Sequence, residues 1–154
     1  MKKKAEAPFT IKIELVEGCC LSCKFCGING IRKKTGGYKF MTIKTAKVLA
    51  SHIAKTKWNS KIEFTMRGEP TLNPKRNEII KIFRLALPTT QMMMTSNGMP
   101  LLEGDGALKN ISQLFADGLN VLALDDYKVA KIIPKILKAI TSLKKMYYPV
   151  DNDS

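Results

Sequence analysis

The chain has 154 residues, of which 45% are hydrophobic and 25% charged, and its formal net charge is +13. This length and composition predict one domain with an apolar core. No apolar run is long enough to cross a membrane, so we expect a cytoplasmic protein that makes no use of a membrane.

Strand and helix patterns alternate four times along the chain. The strand-like runs are residues 11–16, 61–66, 91–95 and 120–125. Thr42 is the predicted N-cap of the first helix, and Asn73 with Pro74 opens the second. The third helix ends at Gly118, and the fourth tolerates Pro134 only near its start. The pattern predicts an α/β fold with a parallel sheet and right-handed crossovers.

Four βα units amount to a partial (half) TIM-type barrel, because a full barrel takes about 250 residues. We place this domain at residues 10–147, between a disordered basic N-terminus (1–9) and a polar C-terminal tail (148–154). The fourth strand would then be a bare sheet edge. A partner chain, the tail or a second copy would cover it, unless the chain is a split or degenerate gene product. We predict self-association or a need for a second polypeptide.

Three cysteines lie in the loop that directly follows the first strand. Cys19, Cys23 and Cys26 have the spacing C-x3-C-x2-C, and three thiolates this close can surround one soft-metal centre. An iron–sulfur cluster normally takes four cysteine ligands. With three, one iron stays open to a substrate or cofactor, as in other catalytic metal sites.

A structural zinc site is the alternative for these cysteines, and it would need a fourth ligand. His52 is the only histidine and lies off the apolar face of the first helix, so a surface or packing role is the better interpretation. Cys20 is adjacent to Cys19, and neighbouring residues in a tight loop seldom both reach one tetrahedral ion. The strand–turn–helix context favours iron–sulfur over zinc. A disulfide framework is disfavoured, since the chain has no second cysteine group and no signal peptide.

The cysteine spacing, with the aromatic Phe25 just before the last cysteine, resembles the cluster motif of the radical S-adenosylmethionine (radical SAM) enzymes. The turn Arg67-Gly68-Glu69-Pro70 resembles the family's Gly-Gly-Glu or Gly-Glu-Pro turn, which holds the methionine amino group. The turn Ser96-Asn97-Gly98 is similar to the family's Thr-x-Asn-Gly turn. The run ending at Asp125 resembles the fourth strand, although Ala123 stands where a serine is often found.

This resemblance implies a cofactor site and a mechanism. Cys19, Cys23 and Cys26 would hold a [4Fe–4S] cluster whose open iron takes S-adenosylmethionine. The implied cofactor-binding residues are Phe25, Gly68, Glu69, Pro70, Ser96, Asn97 and Asp125. A flavodoxin- or ferredoxin-type donor would reduce the cluster. The cleaved cofactor would yield a 5′-deoxyadenosyl radical that abstracts hydrogen from a peptide, protein or nucleoside/RNA substrate.

Two other functions remain open. The short length is similar to that of the glycyl-radical activating enzymes, which act on a partner protein. The non-enzymatic alternative is an incomplete iron–sulfur or zinc module that acts within a complex or on nucleic acid. The charge of +13 suits RNA, but the lysines are spread over every helix as on a solvated surface. Only the basic residues at 32–34 and 75–76 lie where a substrate could meet them.

Overall fold

The computed structural model describes residues 6–27, 37–127 and 131–147. The elements in chain order are β1 (Thr10–Lys12), β2 (Val16–Glu17), β3 (Lys39–Phe40), α1 (Ile43–Thr56), β4 (Lys61–Glu63), α2 (Arg76–Ala86), β5 (Met92–Ser96), α3 (Ala107–Ala116), β6 (Val121–Leu124) and α4 (Ile132–Tyr147). Single 3₁₀ turns at Pro70–Leu72 and Met99–Leu102 follow β4 and β5. None of the described helices is long and apolar enough to cross a membrane.

The main sheet contains four parallel strands in the order β1-β4-β5-β6. Helices lie between β4, β5 and β6, so the predicted α/β fold with a partial TIM-type sheet is confirmed. Because the strands are parallel, all of their carboxyl ends meet at one edge of the sheet. Among the described residues β6 is an outer strand, and Val121 on it is 38% exposed.

The first predicted strand, residues 11–16, is in fact two. β1 pairs with β4, whereas β2 leaves the sheet and pairs antiparallel with β3, with Val16 opposite Phe40. The carbonyl of Leu15 accepts hydrogen bonds from the backbone N–H of Met41 (3.0 Å) and the side chain of Asn73 (3.0 Å). These contacts bend the chain, and the bend carries the cysteine loop over the carboxyl edge of the sheet.

The helix ends follow the sequence signals with one exception. The Thr42 hydroxyl accepts from the N–H of Thr45 (3.1 Å), as an N-cap does. Gly118, with φ of 114°, ends α3, and Pro134 lies in the first turn of α4. The prediction for the second helix was wrong, since α2 begins at Arg76 and not at the Asn73-Pro74 pair. Asn73 is fully buried. Its Oδ1 accepts from the Lys75 N–H at 2.8 Å, as a cap does, while its Nδ2 donates to the carbonyls of Leu15 and Met41 beside β2 and β3.

The core lies between the main sheet and the helices. Ile62, Phe64, Met92 and Met94 have no exposed surface, and the Phe64 ring meets Phe83 of α2 edge to face at 5.3 Å. Alternate methionines of β5 therefore serve as core packing. Of the segment predicted to be disordered, residues 6–9 are described, and the Pro8 and Phe9 carbonyls accept hydrogen bonds from Ser60 and Lys61. Residues 1–5 and the tail 148–154 lie outside the described residues.

Candidate cofactor site at the carboxyl edge of the sheet

One cavity of about 390 Å³ lies where the ends of β4, β5 and β6 face the cysteine loop. Its lining includes all of the predicted site residues except Pro70: Cys19, Cys23, Phe25, Cys26, Gly68, Glu69, Ser96, Asn97 and Asp125. Pro70 is buried at the start of the 3₁₀ turn that follows Glu69. Residues from four separate parts of the chain therefore share one cavity, as expected for an α/β site.

The three motif cysteines differ in exposure. Cys19 is only 7% exposed, and the N–H of Leu21 donates to its sulfur at 3.4 Å. Cys23 and Cys26 are partly exposed and are joined by a backbone hydrogen bond of 3.1 Å. Within residues 6–27, 37–127 and 131–147, no three histidine, cysteine, aspartate or glutamate side chains are grouped closely enough to hold a metal ion. Ligation would therefore require the cysteine loop to draw its sulfur atoms together.

Cys20 differs from the other cysteines in its surroundings. It is not among the residues that line the cavity. A hydrogen bond with Cys19, followed by burial, raises the pKa of the Cys20 thiol. Without a metal, the Cys20 thiol is therefore harder to deprotonate than an ordinary cysteine.

Glu69 is a buried carboxylate surrounded by protein donors. It is 3% exposed, and its Oε1 accepts from the Thr71 N–H (3.0 Å), the Thr71 hydroxyl (2.5 Å) and the Ser96 hydroxyl (2.7 Å). Its Oε2 accepts from the Asn97 N–H at 2.8 Å. A carboxylate has about four lone-pair sites, so most of the acceptor capacity is already used. The sequence does not predict this network, because its donors come from turns that follow two different strands.

Gly68 lies where no side chain fits. A Cβ built on it would be 1.9 Å from the carbonyl oxygen of Val16 and 2.6 Å from that of Gly18. The neighbouring Glu69 N–H donates to the Gly18 carbonyl at 2.8 Å. Glycine here therefore lets the turn after β4 press against the backbone that leads into the cysteines.

Asn97 points its side chain at the cysteine sulfurs. Its Nδ2 lies 3.4 Å from the Cys20 sulfur and 3.7 Å from the Cys19 sulfur. Its Oδ1 accepts from the Met99 N–H at 2.9 Å, which fixes which end of the amide is the oxygen. The amide N–H groups are therefore directed at sulfur, and Oδ1 in addition accepts from the Cys20 thiol at 3.9 Å.

An aromatic pair that the sequence analysis missed lies over the cavity. The rings of Phe25 and Tyr127 are stacked with their centroids 5.5 Å apart, and the Tyr127 hydroxyl donates to Asp125 at 2.9 Å. Burial and this hydrogen bond raise the pKa of Tyr127, so its hydroxyl remains a donor. The available signal was an aromatic residue two positions beyond the predicted strand end.

Arg67 also lines the cavity, where the family's Gly-Gly-Glu turn has a glycine. Its Nε and Nη2 donate to the two oxygens of Glu14 at 3.2 and 2.8 Å, and its backbone N–H donates to the same carboxylate at 3.1 Å. Glu14 raises the pKa of Arg67, and half of the arginine side chain remains exposed. The pair holds the Arg67 guanidinium at the rim of the cavity, where the Glu14 carboxylate balances its charge.

The other candidates from the sequence lie elsewhere. His52 is exposed on α1 and does not line the cavity. Arg76 donates to the Thr71 carbonyl and the Asn110 side chain, both at 3.1 Å, so it has a structural role. The basic residues 32–34 lie outside the described residues.

The comparisons with known proteins agree with this geometry. The model of the radical SAM superfamily matches residues 13–152, and the chain therefore belongs to that superfamily. The comparison with curated proteins gives no match.

Two solved structures share the fold. The first is BtrN in complex with AdoMet and 2-DOIA, with a TM-score of 0.70 and 18% identity over 84% of this chain and 51% of that chain. The second is selenomethionine BtrN in an open conformation, with a TM-score of 0.63 and 18% identity over 80% of this chain and 58% of that chain. The chain thus spans little more than half the length of these structures.

Proposed function

We propose that the chain is a radical SAM enzyme that holds a [4Fe–4S] cluster through Cys19, Cys23 and Cys26 and cleaves S-adenosylmethionine reductively. The observation that carries the proposal is that these cysteines line the same cavity as the turns containing Glu69 and Asn97. When bound, the cluster supplies the electron for cleavage, and the 5′-deoxyadenosyl radical that results takes hydrogen from a substrate. The donor chemistry of three thiols fits such a cluster with one open iron.

The residues around the cysteines would bind and orient the cofactor. The outer lone pair of Glu69 Oε2 is the acceptor best placed for the ammonium group, because the other carboxylate oxygen accepts three hydrogen bonds. Asp125 has a carboxylate at the cavity wall that could accept from ribose hydroxyls. Phe25 and Tyr127 present apolar surface that would exclude water from the cleavage step. The AdoMet in the BtrN complex supports this choice of cofactor.

Our proposals for the substrate and partners start from the open side of the cavity and the outer edge of the sheet. Phe25 and Met66 are 75% and 57% exposed there, beside the Arg67–Glu14 pair. We propose a peptide, protein or nucleoside/RNA substrate for this rim, which is apolar and carries one arginine–carboxylate ion pair. We propose a flavodoxin- or ferredoxin-type electron donor. We also propose that a second polypeptide or a second copy pairs with the outer edge of β6, whose backbone offers a template for strand addition.

Anaerobic reconstitution with iron and sulfide tests the cluster. Cys19→Ala, Cys23→Ala and Cys26→Ala should each abolish the brown chromophore, because loss of a ligand couples directly to loss of metal. Cys20→Ala is the matched control, and most of the chromophore should remain in it. Equal loss in the Cys20 variant would show that the ligands are assigned wrongly. Zinc bound in place of iron would favour a structural zinc module.

Cleavage is tested on the reconstituted protein with dithionite and S-adenosylmethionine. We expect 5′-deoxyadenosine to form in the unaltered chain and in the Cys20 variant, but not in the three ligand variants. A stable cluster without any 5′-deoxyadenosine would favour a non-catalytic iron–sulfur module over an enzyme.

A further inference from the structure

We propose that Asn97 is a positioning residue for electron transfer: its side-chain amide donates to the sulfur of Cys19 and raises the reduction potential of the cluster. This inference rests on the proposed function, since it requires Cys19 to be a cluster ligand. It adds a role for Asn97 beyond contact with S-adenosylmethionine.

The orientation of the amide is fixed from three sides. The backbone N–H of Asn97 donates to Glu69 Oε2 at 2.8 Å, and its Oδ1 accepts from the Met99 N–H at 2.9 Å. With its oxygen engaged in this way, Nδ2 faces the sulfurs of Cys20 and Cys19 at 3.4 and 3.7 Å. Asn97 is only 4% exposed, so water does not compete freely for its N–H groups. The donor is therefore held in place before any cofactor binds.

The two sulfurs would not compete equally for this donor once a cluster is present. In the proposed assignment Cys19 is a ligand, so its sulfur is a thiolate that carries negative charge, whereas Cys20 is not a ligand. Hydrogen bonds to charged acceptors are roughly twice as strong as those to neutral ones. The amide should therefore favour Cys19 in the loaded protein.

A hydrogen bond to a ligand sulfur affects the oxidised and reduced states differently. Reduction adds negative charge to the cluster and its thiolates, so a donated N–H stabilises the reduced state more. Hydrogen bonds to the sulfurs are among the factors that set iron–sulfur potentials. Removing the Asn97 amide should therefore make the cluster harder to reduce, which would slow the electron transfer that starts cleavage.

The test is an anaerobic redox titration of the reconstituted full chain, followed by electron paramagnetic resonance. Asn97→Ser keeps an oxygen that can accept from the Met99 N–H, but its side chain is too short to reach Cys19. We expect the one-electron reduction constant to fall about tenfold, which is a shift of about 59 mV to lower potential. Asn59→Ser, at an exposed asparagine away from the cavity, is the matched control and should leave the potential unchanged.

Repeating the titration in a Cys20→Ala background identifies the sulfur that accepts the hydrogen bond. If Cys19 is the acceptor, Asn97→Ser should lower the potential by the same amount in this background. Two outcomes would overturn this inference but not the proposed function. One is a potential shift that disappears in the Cys20→Ala background. The other is an equal potential in Asn97→Ser and the unaltered chain at equal iron content. Failure of the unaltered chain to hold a cluster would overturn the proposed function as well.

Discussion

Replacing Glu69 by glutamine should destabilise the fold even without any cofactor. Glutamine has the same shape, but it carries no charge and puts an NH₂ group where one carboxylate oxygen was. The Asn97 N–H, which now donates to Oε2, would face that NH₂ group if the Oε1 contacts are kept. The buried site thus loses one hydrogen bond outright and retains three weaker ones.

The magnitude follows from these four contacts. A hydrogen bond to a charged acceptor contributes about 1.5–3 kcal/mol and a neutral one about 0.5–1.5 kcal/mol, so three weakened bonds cost about 3 kcal/mol. An unpaired buried N–H costs about 1–3 kcal/mol more. In the opposite direction, glutamine avoids the cost of burying the Glu69 charge, which is several kcal/mol for a buried ion. We therefore expect a net loss of about 2 kcal/mol in the free energy of unfolding.

Thermal unfolding of the cofactor-free chain measures this loss. For a chain of this size about 2 kcal/mol corresponds to a fall of about 4–8 °C in Tm. Glu103→Gln is the matched control, because Glu103 is exposed, and its effect should stay within about 0.5 kcal/mol. If Glu69→Gln unfolded at the same temperature as Glu103→Gln, the buried network would not contribute to stability, and our reasoning would be refuted.

Two further substitutions test the packing at opposite edges of the sheet, Gly68 at the carboxyl edge and Arg84 at the amino edge. Gly68→Ala should lower the free energy of unfolding by about 2–3 kcal/mol and impair cluster loading, because the added Cβ would meet the Val16 carbonyl. Gly27→Ala is the control and should do neither, because an added Cβ there meets nothing within 4 Å. Arg84→Lys should lower the free energy of unfolding, measured by chemical denaturation, by about 2–3 kcal/mol, because lysine cannot replace all the hydrogen bonds of the guanidinium. Arg84 donates to four backbone carbonyls and one side chain: those of Leu87, Pro88, Thr90 and Gly118, and the side chain of Asn120. Arg84→Lys should leave cluster loading unchanged, because its partners precede the starts of β5 and β6, at the edge of the sheet away from the cysteines. A loss of cluster loading in this variant would contradict the prediction.

The sequence predicts the parts of this fold that depend on local pattern. β4, β5 and β6 lie within the predicted strand runs or extend them by one residue, because buried parallel strands give short apolar runs. The site residues share a cavity because parallel strands bring their carboxyl ends together. A list of turns in chain order was therefore enough to place Gly68, Ser96 and Asp125 near the cysteines.

What the sequence could not predict depends on contacts between distant residues. The first strand divides because β2 pairs with β3, more than twenty residues further along the chain. Asn73 looks like a helix cap, and its Oδ1 does accept from the Lys75 N–H, but the sequence does not show that its Nδ2 donates to the distant carbonyls of Leu15 and Met41. Likewise Glu69 looks like an open ligand for an ammonium group, and only the folded chain shows how many donors already surround it.

The surroundings of Glu69 also change how the site should be interpreted. In the sequence, the cysteine motif, the Gly-Glu-Pro turn and the Asn-Gly turn are three separate signals. In the structure, the Glu69 N–H is bonded to Gly18, next to Cys19, and the Glu69 carboxylate holds the backbone of Asn97, whose side chain reaches Cys19. Hydrogen bonds therefore connect the three motifs to one another. A substitution at Glu69 should consequently alter the cysteine end of the cavity as well as cofactor affinity, so effects at the two ends are not independent.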